Sequence, residues 1–466
     1  MIFKSSFFFK EFPHSVVLLF FIIVLATLVT HIIPAGTFDR MLMDGKLRVI
    51  AGTYRLTADH PLGLMDMFIA IPKGFGVAID VIWVVMTSGI MFGILEKSKM
   101  IENVVGCLIF NLGLKHRLII IMALTYLFGL LGVVVGYENN IAMIPIAATI
   151  SLALGGDLML AAAIAVGGIT VGFGLSPINP YTVGTGHKIA ELPMFSGALM
   201  RSLLCFLGLT VLAFFNRRYF KKIIKDPTKS LTLEIDQSGF SLTKDLSSYQ
   251  LKTKDLAILF VFLFGVVFML YGVFQWHWYL NQISAIFLII SIVAGLVGGM
   301  DGRMIGETTF KSISLVAPGA FMVGLAATIK IILEEASIGD TIAYELSESL
   351  NGLSVYGSAL GMSLAQLLIN FVIPSGSGQA LATLPIMIPT GELLGLTRQT
   401  IILAFQIGDG VSNLMNPSLG GLVAMLSLCR VTFDRWLKFI LPVIVVILLI
   451  SWIFLVVGVA INWGPF

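Results

Sequence analysis

The sequence predicts an all-α polytopic membrane protein of about 10 to 12 transmembrane segments, built as two inverted repeats with re-entrant helical hairpins and broken helices. Three observations predict it. The 466 residues are 57% hydrophobic and 12% charged, with mean hydropathy +0.98, whereas a water-soluble domain carries about 25% charged residues. Landmarks in the two halves recur at nearly constant spacing. Gly, Pro and small polar residues interrupt the apolar runs at matched places.

Five stretches contain no Lys, Arg, Asp or Glu: His14 to Ile33, Leu118 to Tyr137, Leu256 to Phe274, Ile283 to Met300 and Phe439 to Phe466. Each approaches or exceeds the roughly 20 residues that cross about 30 Å of hydrocarbon as a helix. Lys4 and Lys10 precede the first run, as in a signal peptide, but the run ends in His31-Ile32-Ile33-Pro34 without a small-residue cleavage site and is read as a retained span. A polar loop of mixed charge follows between Pro34 and Pro61. The interval Asn216 to Asp255 opens with Arg217-Arg218-Tyr219-Phe220-Lys221-Lys222 and holds nine basic against five acidic residues, the bias of a cytoplasmic loop.

Self-comparison reveals the repeat. Ile94-Leu95-Glu96-Lys97 reappears as Ile332-Leu333-Glu334-Glu335 at an offset of 238, Pro145 as Pro385 at 240, and Asn179-Pro180 as Asn416-Pro417 at 237. An additional span, Ile283 to Met300, precedes the amphipathic stretch Arg303 to Leu315 of the second copy and would invert it relative to the first, whose stretch Pro61 to Lys73 follows directly on the loop. The expected organisation is a first transmembrane helix and extracytoplasmic loop (1–60), a first repeat (61–215), a cytoplasmic linker (216–255), connecting transmembrane helices (256–300) and a second, inverted repeat (301–466).

A carrier needs a polar site inside an apolar slab, and broken helices supply one by exposing helix ends and backbone groups. Four interruptions qualify as two pairs. Gly136-Tyr137-Glu138-Asn139-Asn140 and Pro374-Ser375-Gly376-Ser377-Gly378-Gln379 are read as hairpin tips; no charged residue occurs from Asn351 to Thr390, which places the second tip deep in apolar sequence. The helix leaving each tip would aim free N–H groups at a carboxylate. The second pair, Leu175 to Thr182 and Gly408 to Ser418, contains Asn179-Pro180 and Asn416-Pro417. Proline removes a donor and unwinds the residue before it, so these breaks are expected to free carbonyls for a cation or a solute.

Ionisable residues inside a membrane are functional candidates by default. Glu138 and Asp409 are the two inside these segments, which contain no Lys or Arg. The expected substrate site is therefore Glu138, Asn139, Asn140, Asn179, Ser375, Ser377, Gln379, Asp409, Asn413 and Asn416. The amides and hydroxyls would meet carboxylate or polar atoms, and the two acids an amine or a coupling proton. Arg201 is expected to snorkel to the interface, and Asp80 has no assigned role. Cys107, Cys205 and Cys429 are isolated, and no metal-ligand spacing, phosphate loop or hydrolase constellation occurs. Neither a cofactor, a metal nor a nucleic-acid partner is expected, only Na⁺ or H⁺ as coupling ion.

Phe12-Pro13-His14, Ile33-Pro34-Ala35-Gly36-Thr37-Phe38, Ile178 to Gly184, Asn370 to Ala380 and Phe405 to Asn413 carry a further indication. Together they resemble the YfcC branch of the C4-dicarboxylate-carrier-like family, within the ion transporter superfamily. The resemblance spans nearly the whole chain and departs from the pattern at Asn416-Pro417-Ser418, where a Trp-Pro-Thr-like sequence is expected. It implies inverted repeats with re-entrant hairpins, a scaffold and an elevator-like transport domain, and a homodimer in the bacterial inner membrane. It also implies amino acids, basic ones of the arginine/ornithine exchange type, or C4-dicarboxylates as substrates. The expected function is a secondary transporter and no enzyme; a channel is the distant alternative, lacking the rings of like charge such a pore carries.

Overall fold

The computed structural model describes residues 15–464 apart from 44, 45, 51, 113, 241, 243–247, 277, 279 and 351. Lys4, Lys10 and Phe12-Pro13-His14 lie outside the described residues. The chain is helical almost throughout, because in hydrocarbon every backbone polar group must find its partner within the segment. Helix α1 (Ser15–Val29) leads into two short antiparallel ribbons, β1 (Gly36–Thr37) with β4 (Arg55–Leu56) and β2 (Arg40–Met43) with β3 (Lys46–Val49). Then follow α2 (Leu64–Val77), α3 (Ile79–Lys97), α4 (Met100–Leu112), α5 (Arg117–Val135), α6 (Ile144–Ala153), α7 (Leu158–Gly174), α8 (Thr185–Ile189) and α9 (Ala198–Lys225). The rest of the chain forms α10 (Thr253–Trp276), α11 (Leu280–Val297), α12 (Gly302–Glu335), α13 (Gly339–Glu348), α14 (Val355–Ile369), α15 (Gly376–Leu393), α16 (Arg398–Ser412), α17 (Gly420–Leu428) and α18 (Phe433–Ala460).

Among the described residues six helices are long and apolar enough to cross a membrane: α3, α9, the first 20 residues of α10, α11, α12 and α18. The shorter apolar helices α5, α7 and α14 adjoin the interruptions. Packing sorts the helices into two groups. α1, α2, α3, α11 and α12 pack on one another, with α10 on α11; α5, α7, α9, α14, α16 and α18 form a second body, with α15 and α8 against α16. α17 joins the two by lying on α12.

The duplication read from spacing coincides with a duplication of helix endings. Lys99 and Ser337, Gly155 and Gly395, and Glu191 and Arg430 all take left-handed backbone angles, φ between 55° and 86°, at offsets of 238 to 240. Each sits two residues beyond a helix, after α3 and α12, α6 and α15, and α8 and α17. There the reversed residue closes the last turn, as when Gly156 N–H donates to the Ser151 carbonyl at 2.8 Å and Leu396 N–H to the Gly391 carbonyl at 2.8 Å. The cap that opens α7, Asp157 accepting from Leu160 N–H, has its counterpart at offset 240 in Thr397 accepting from Thr400 N–H.

Three sequence expectations are corrected. The basic run Arg217 to Lys222 is not loop: it continues α9, whose straight-chain Lys and Arg are good helix formers, and the linker begins at Asp226. The stretch Arg303 to Leu315 is the first third of the 34-residue α12, whereas in the first copy the equivalent path is interrupted at Ala78 between α2 and α3. Arg201 does not snorkel: its side chain has no exposed surface. The linker is also more than a tether. Thr232 accepts from Met159 N–H at 3.2 Å, and Phe240, 3% exposed, lies under the Arg430 guanidinium at 4.7 Å and beside Phe92 at 5.5 Å.

Candidate functional site

The first tip forms because α5 ends at Val135 and Gly136, at φ +107°, turns the chain where a side chain would be strained. A tight 3₁₀ stretch, Glu138–Met143, then feeds α6, with Pro145 in the latter's first turn, where its missing N–H costs nothing. Asn140 seals the bend by donating to the Gly136 carbonyl at 2.6 Å. The second tip is built differently. α14 stops at Ile369, residues 370–374 are unwound, and Ser375 caps α15 by accepting from Gly378 N–H at 3.3 Å. Gly376, Ser377 and Gln379 are thus the first turn of a helix, not the bend, and the N–H groups of Gly376 and Ser377 have no acceptor within their own helix.

Both tips reach one cavity of about 250 Å³. Gly136 to Asn139 line one side of it and Pro374 to Ser377 the other, with Phe173 and Tyr181 from the first break and Asn413 and Leu419 from the second. Glu138 is its single carboxylate, and neither Lys, Arg nor His lines it. Three aromatic rings line the cavity with Glu138: Tyr137 and Phe173 have centroids 5.5 Å apart, and Phe173 and Tyr181 6.5 Å. Gly421 keeps that corner open, since a Cβ there would lie 2.8 Å from the Tyr137 ring and 3.2 Å from a Glu138 oxygen.

Of the ten residues expected from sequence, Glu138, Asn139, Ser375, Ser377 and Asn413 therefore line the cavity, and the other five stand behind its walls. Asn140 holds the first bend. Asn179 donates to the Phe173 carbonyl at 3.0 Å and accepts from Tyr181 N–H at 2.9 Å, so it splints the first break. Asn416 donates to the Asn370 carbonyl at 2.7 Å and accepts from Ser418 N–H at 3.0 Å, splinting the second. Gln379 ties the hairpin arms by donating to the backbone carbonyl and side-chain oxygen of Gln366 at 2.7 and 2.6 Å.

Asp409 is the unusual one. It is fully buried on α16, and neither carboxylate oxygen has a hydrogen-bond partner. It faces the start of α15, where a Cβ on Gly376 would lie 3.4 Å from Asp409 Oδ2 and 2.4 Å from the Thr182 methyl. Thr182 Oγ1, Asn370 Oδ1 and Gln379 Oε1 are likewise buried acceptors without a donor.

Unwinding is expected to free backbone carbonyls, and five at or beside the breaks have side-chain partners. Side chains occupy them: Asn179 takes Phe173 O, Gln406 takes Gly174 O and Ser176 O, Asn370 takes Asp409 O, and Trp436 takes Leu414 O at 2.7 Å. A buried carbonyl left bare costs a few kcal/mol, and an apolar slab offers no water to satisfy it.

Sequence reasoning missed Gln366, Asn370 and Gln406, because a search for intramembrane charge passes over neutral amides. An amide alone inside a long apolar run is the trace they leave. It also missed Tyr137, Phe173 and Tyr181 as lining, since aromatic residues in a membrane helix read equally well as lipid-facing.

A family profile described as DcuC, C4-dicarboxylate anaerobic carrier, matches residues 12–460. A protein of Escherichia coli (strain K12) named "Putative basic amino acid antiporter YfcC" is 28% identical over 91% of this chain and 92% of its own. An uncharacterized protein of Haemophilus influenzae (strain ATCC 51907 / DSM 11121 / KW20 / Rd) is 26% identical over 97% of both chains. Among solved structures, Neisseria gonorrhoeae MtrF, of a class of antimetabolite efflux pumps, is 19% identical over 96% of this chain and 95% of its own, with a TM-score of 0.42. The Alcanivorax borkumensis YdaH transporter is 16% identical over 97% and 100%, with a TM-score of 0.44.

Proposed function

The chain belongs to the C4-dicarboxylate anaerobic carrier family of membrane transporters, and from that premise we propose a secondary active carrier of small carboxylate-bearing solutes whose preferred substrates are basic amino acids of the arginine/ornithine type. The cavity between the tips supports this reading most. Its one carboxylate, Glu138, stands among aromatic rings, and its opposite wall is the start of α15. A cationic side chain gains there from the acid and from the ring faces, while the α-carboxylate takes the N–H groups of Gly376 and Ser377 at the positive end of the helix. The name of the Escherichia coli relative agrees with that choice.

A C4-dicarboxylate is the second reading, supported by the family's description. Its first carboxylate would fit the helix start equally well. Its second would face Glu138 with no cation in the cavity wall to offset the repulsion.

In this proposal Asp409, with the open oxygens around it, takes the coupling ion, Na⁺ or H⁺, behind the substrate cavity. The two repeats are inverted, the body carrying both tips moves in an elevator-like way against the α3–α12 group, and the carrier works as a homodimer in the inner membrane.

Counterflow in proteoliposomes tests the substrate. Vesicles loaded with L-arginine should accumulate labelled L-ornithine faster than empty ones. Acceleration by a C4-dicarboxylate alone would replace the first reading with the second, and acceleration by neither would overturn both. Asp409→Asn should keep exchange but lose accumulation driven by an ion gradient; gradient-driven accumulation by that variant would remove Asp409 from coupling.

A further inference from the structure

Arg201, on α9, has no exposed surface and forms no ion pair with Asp or Glu among the described residues. An arginine buried without a counter-charge is expensive and needs a reason to be there. Its partners are few. Nε donates to Gln406 Oε1 at 2.9 Å, Nη1 donates to the Ser196 carbonyl at 2.9 Å, the Trp463 ring lies 5.0 Å from the guanidinium carbon, and Nη2 has no acceptor.

The contact with Gln406 has a directional consequence. A guanidinium carries donors only, so the amide beside it must present oxygen to Arg201 and nitrogen to the other side. On that side Gln406 Nε2 donates to Ser176 O at 2.8 Å and Gly174 O at 3.3 Å, the carbonyls at the end of α7. Both need an outside donor. The helical partner of Ser176 O would be the nitrogen of Pro180, which has no hydrogen, and that of Gly174 O would be Ile178 N–H, which donates instead to Ser176 Oγ at 3.2 Å.

At the same spot α7 and α16 pack backbone to backbone. A Cβ on Gly174 would lie 2.6 Å from Gly410 Cα, and one on Gly410 would lie 2.5 Å from Gly174 O. Asp409 is the residue before Gly410, and the residues on either side of the break, Phe173 and Tyr181, line the cavity.

Resting on the carrier reading above, we infer that Arg201 is a positioning residue for substrate binding: by orienting the Gln406 amide it fixes the unwound end of α7 against α16, and with it the placement of Phe173 and Tyr181. Arg201 touches neither the cavity nor Asp409 and acts only through Gln406.

Gln406→Glu separates this role from a merely structural one. The carboxylate supplies Arg201 with the anion it lacks, so thermal stability should equal or exceed that of the wild type. It also turns an oxygen toward Ser176 O and Gly174 O, so the half-saturation constant for L-arginine counterflow should rise about tenfold or more, with the maximal rate changed less than about threefold. Arg201→Met should raise it similarly, and Arg201→Met with Gln406→Leu no further than either change alone. A wild-type half-saturation constant in Gln406→Glu overturns the inference. Should the wild-type protein exchange no basic amino acid, the functional reading fails separately, and amide hydrogen exchange of residues 178–184 decides the positioning role. Faster exchange in both Arg201→Met and Gln406→Glu upholds it, and unchanged exchange in either overturns it.

Discussion

The two tips flank one cavity yet present different chemical faces to it. At the first, a 3₁₀ stretch carries Glu138 into a cluster of three rings, whereas at the second a capped α-helix begins with Gly376 and Ser377. One offers a carboxyl group with aromatic rings beside it; the other is the positive end of a helix dipole. The residues at each turn differ, and that difference sets what each side of the cavity offers.

The largest expected effect comes from cancelling the charge of the first tip. Glu138→Gln should weaken basic amino-acid binding by about 3 kcal/mol, roughly a hundredfold in half-saturation. Counterflow titration checks this, and a change no greater than that of Ser375→Ala would reverse the roles assigned to the tips. Next, Gly376→Ala forces a methyl group against the Thr182 methyl and the Asp409 carboxylate. Overpacking of this kind costs about 1–3 kcal/mol, readable as a lowered unfolding temperature together with lost exchange. Ser375→Ala should be milder. It removes the cap of α15 at about 1 kcal/mol, so thermal stability falls slightly and half-saturation rises about fivefold. The smallest effect is expected for Tyr181→Leu, which keeps bulk but removes a ring face worth about 0.5–1 kcal/mol at a half-exposed site. Its loss should be confined to cationic substrates and absent for a neutral amino acid.

The positions of the two tips in the chain were readable because Gly136 and Pro374-Ser375 break apolar runs in ways a membrane helix does not tolerate without purpose. Their boundaries were less so. Pro374 to Gln379 reads as one polar loop, but Ser375 acts as a cap and turns the residues after it into helix. The same limit applies to Asp409, which reads as a site acid equivalent to Glu138. Glu138 opens on the cavity, whereas Asp409 is walled off from it and faces Gly376.

The sequence alone determined that the chain is a multi-pass membrane protein and which four segments interrupt its apolar runs. Hydropathy, spacing and the chemistry of Pro and Gly are local properties, legible without coordinates. Tertiary structure decided which polar groups line the cavity and which close backbone carbonyls. Nothing in the local sequence of Asn179, Gln379 and Asn416 says that their amides are consumed in closing carbonyls. Arg201 likewise looks like an interfacial anchor until α16 brings Gln406 against it. Whether a donor is free depends on which acceptor the fold places within about 3 Å of it, and such pairs here join residues as far as 307 positions apart.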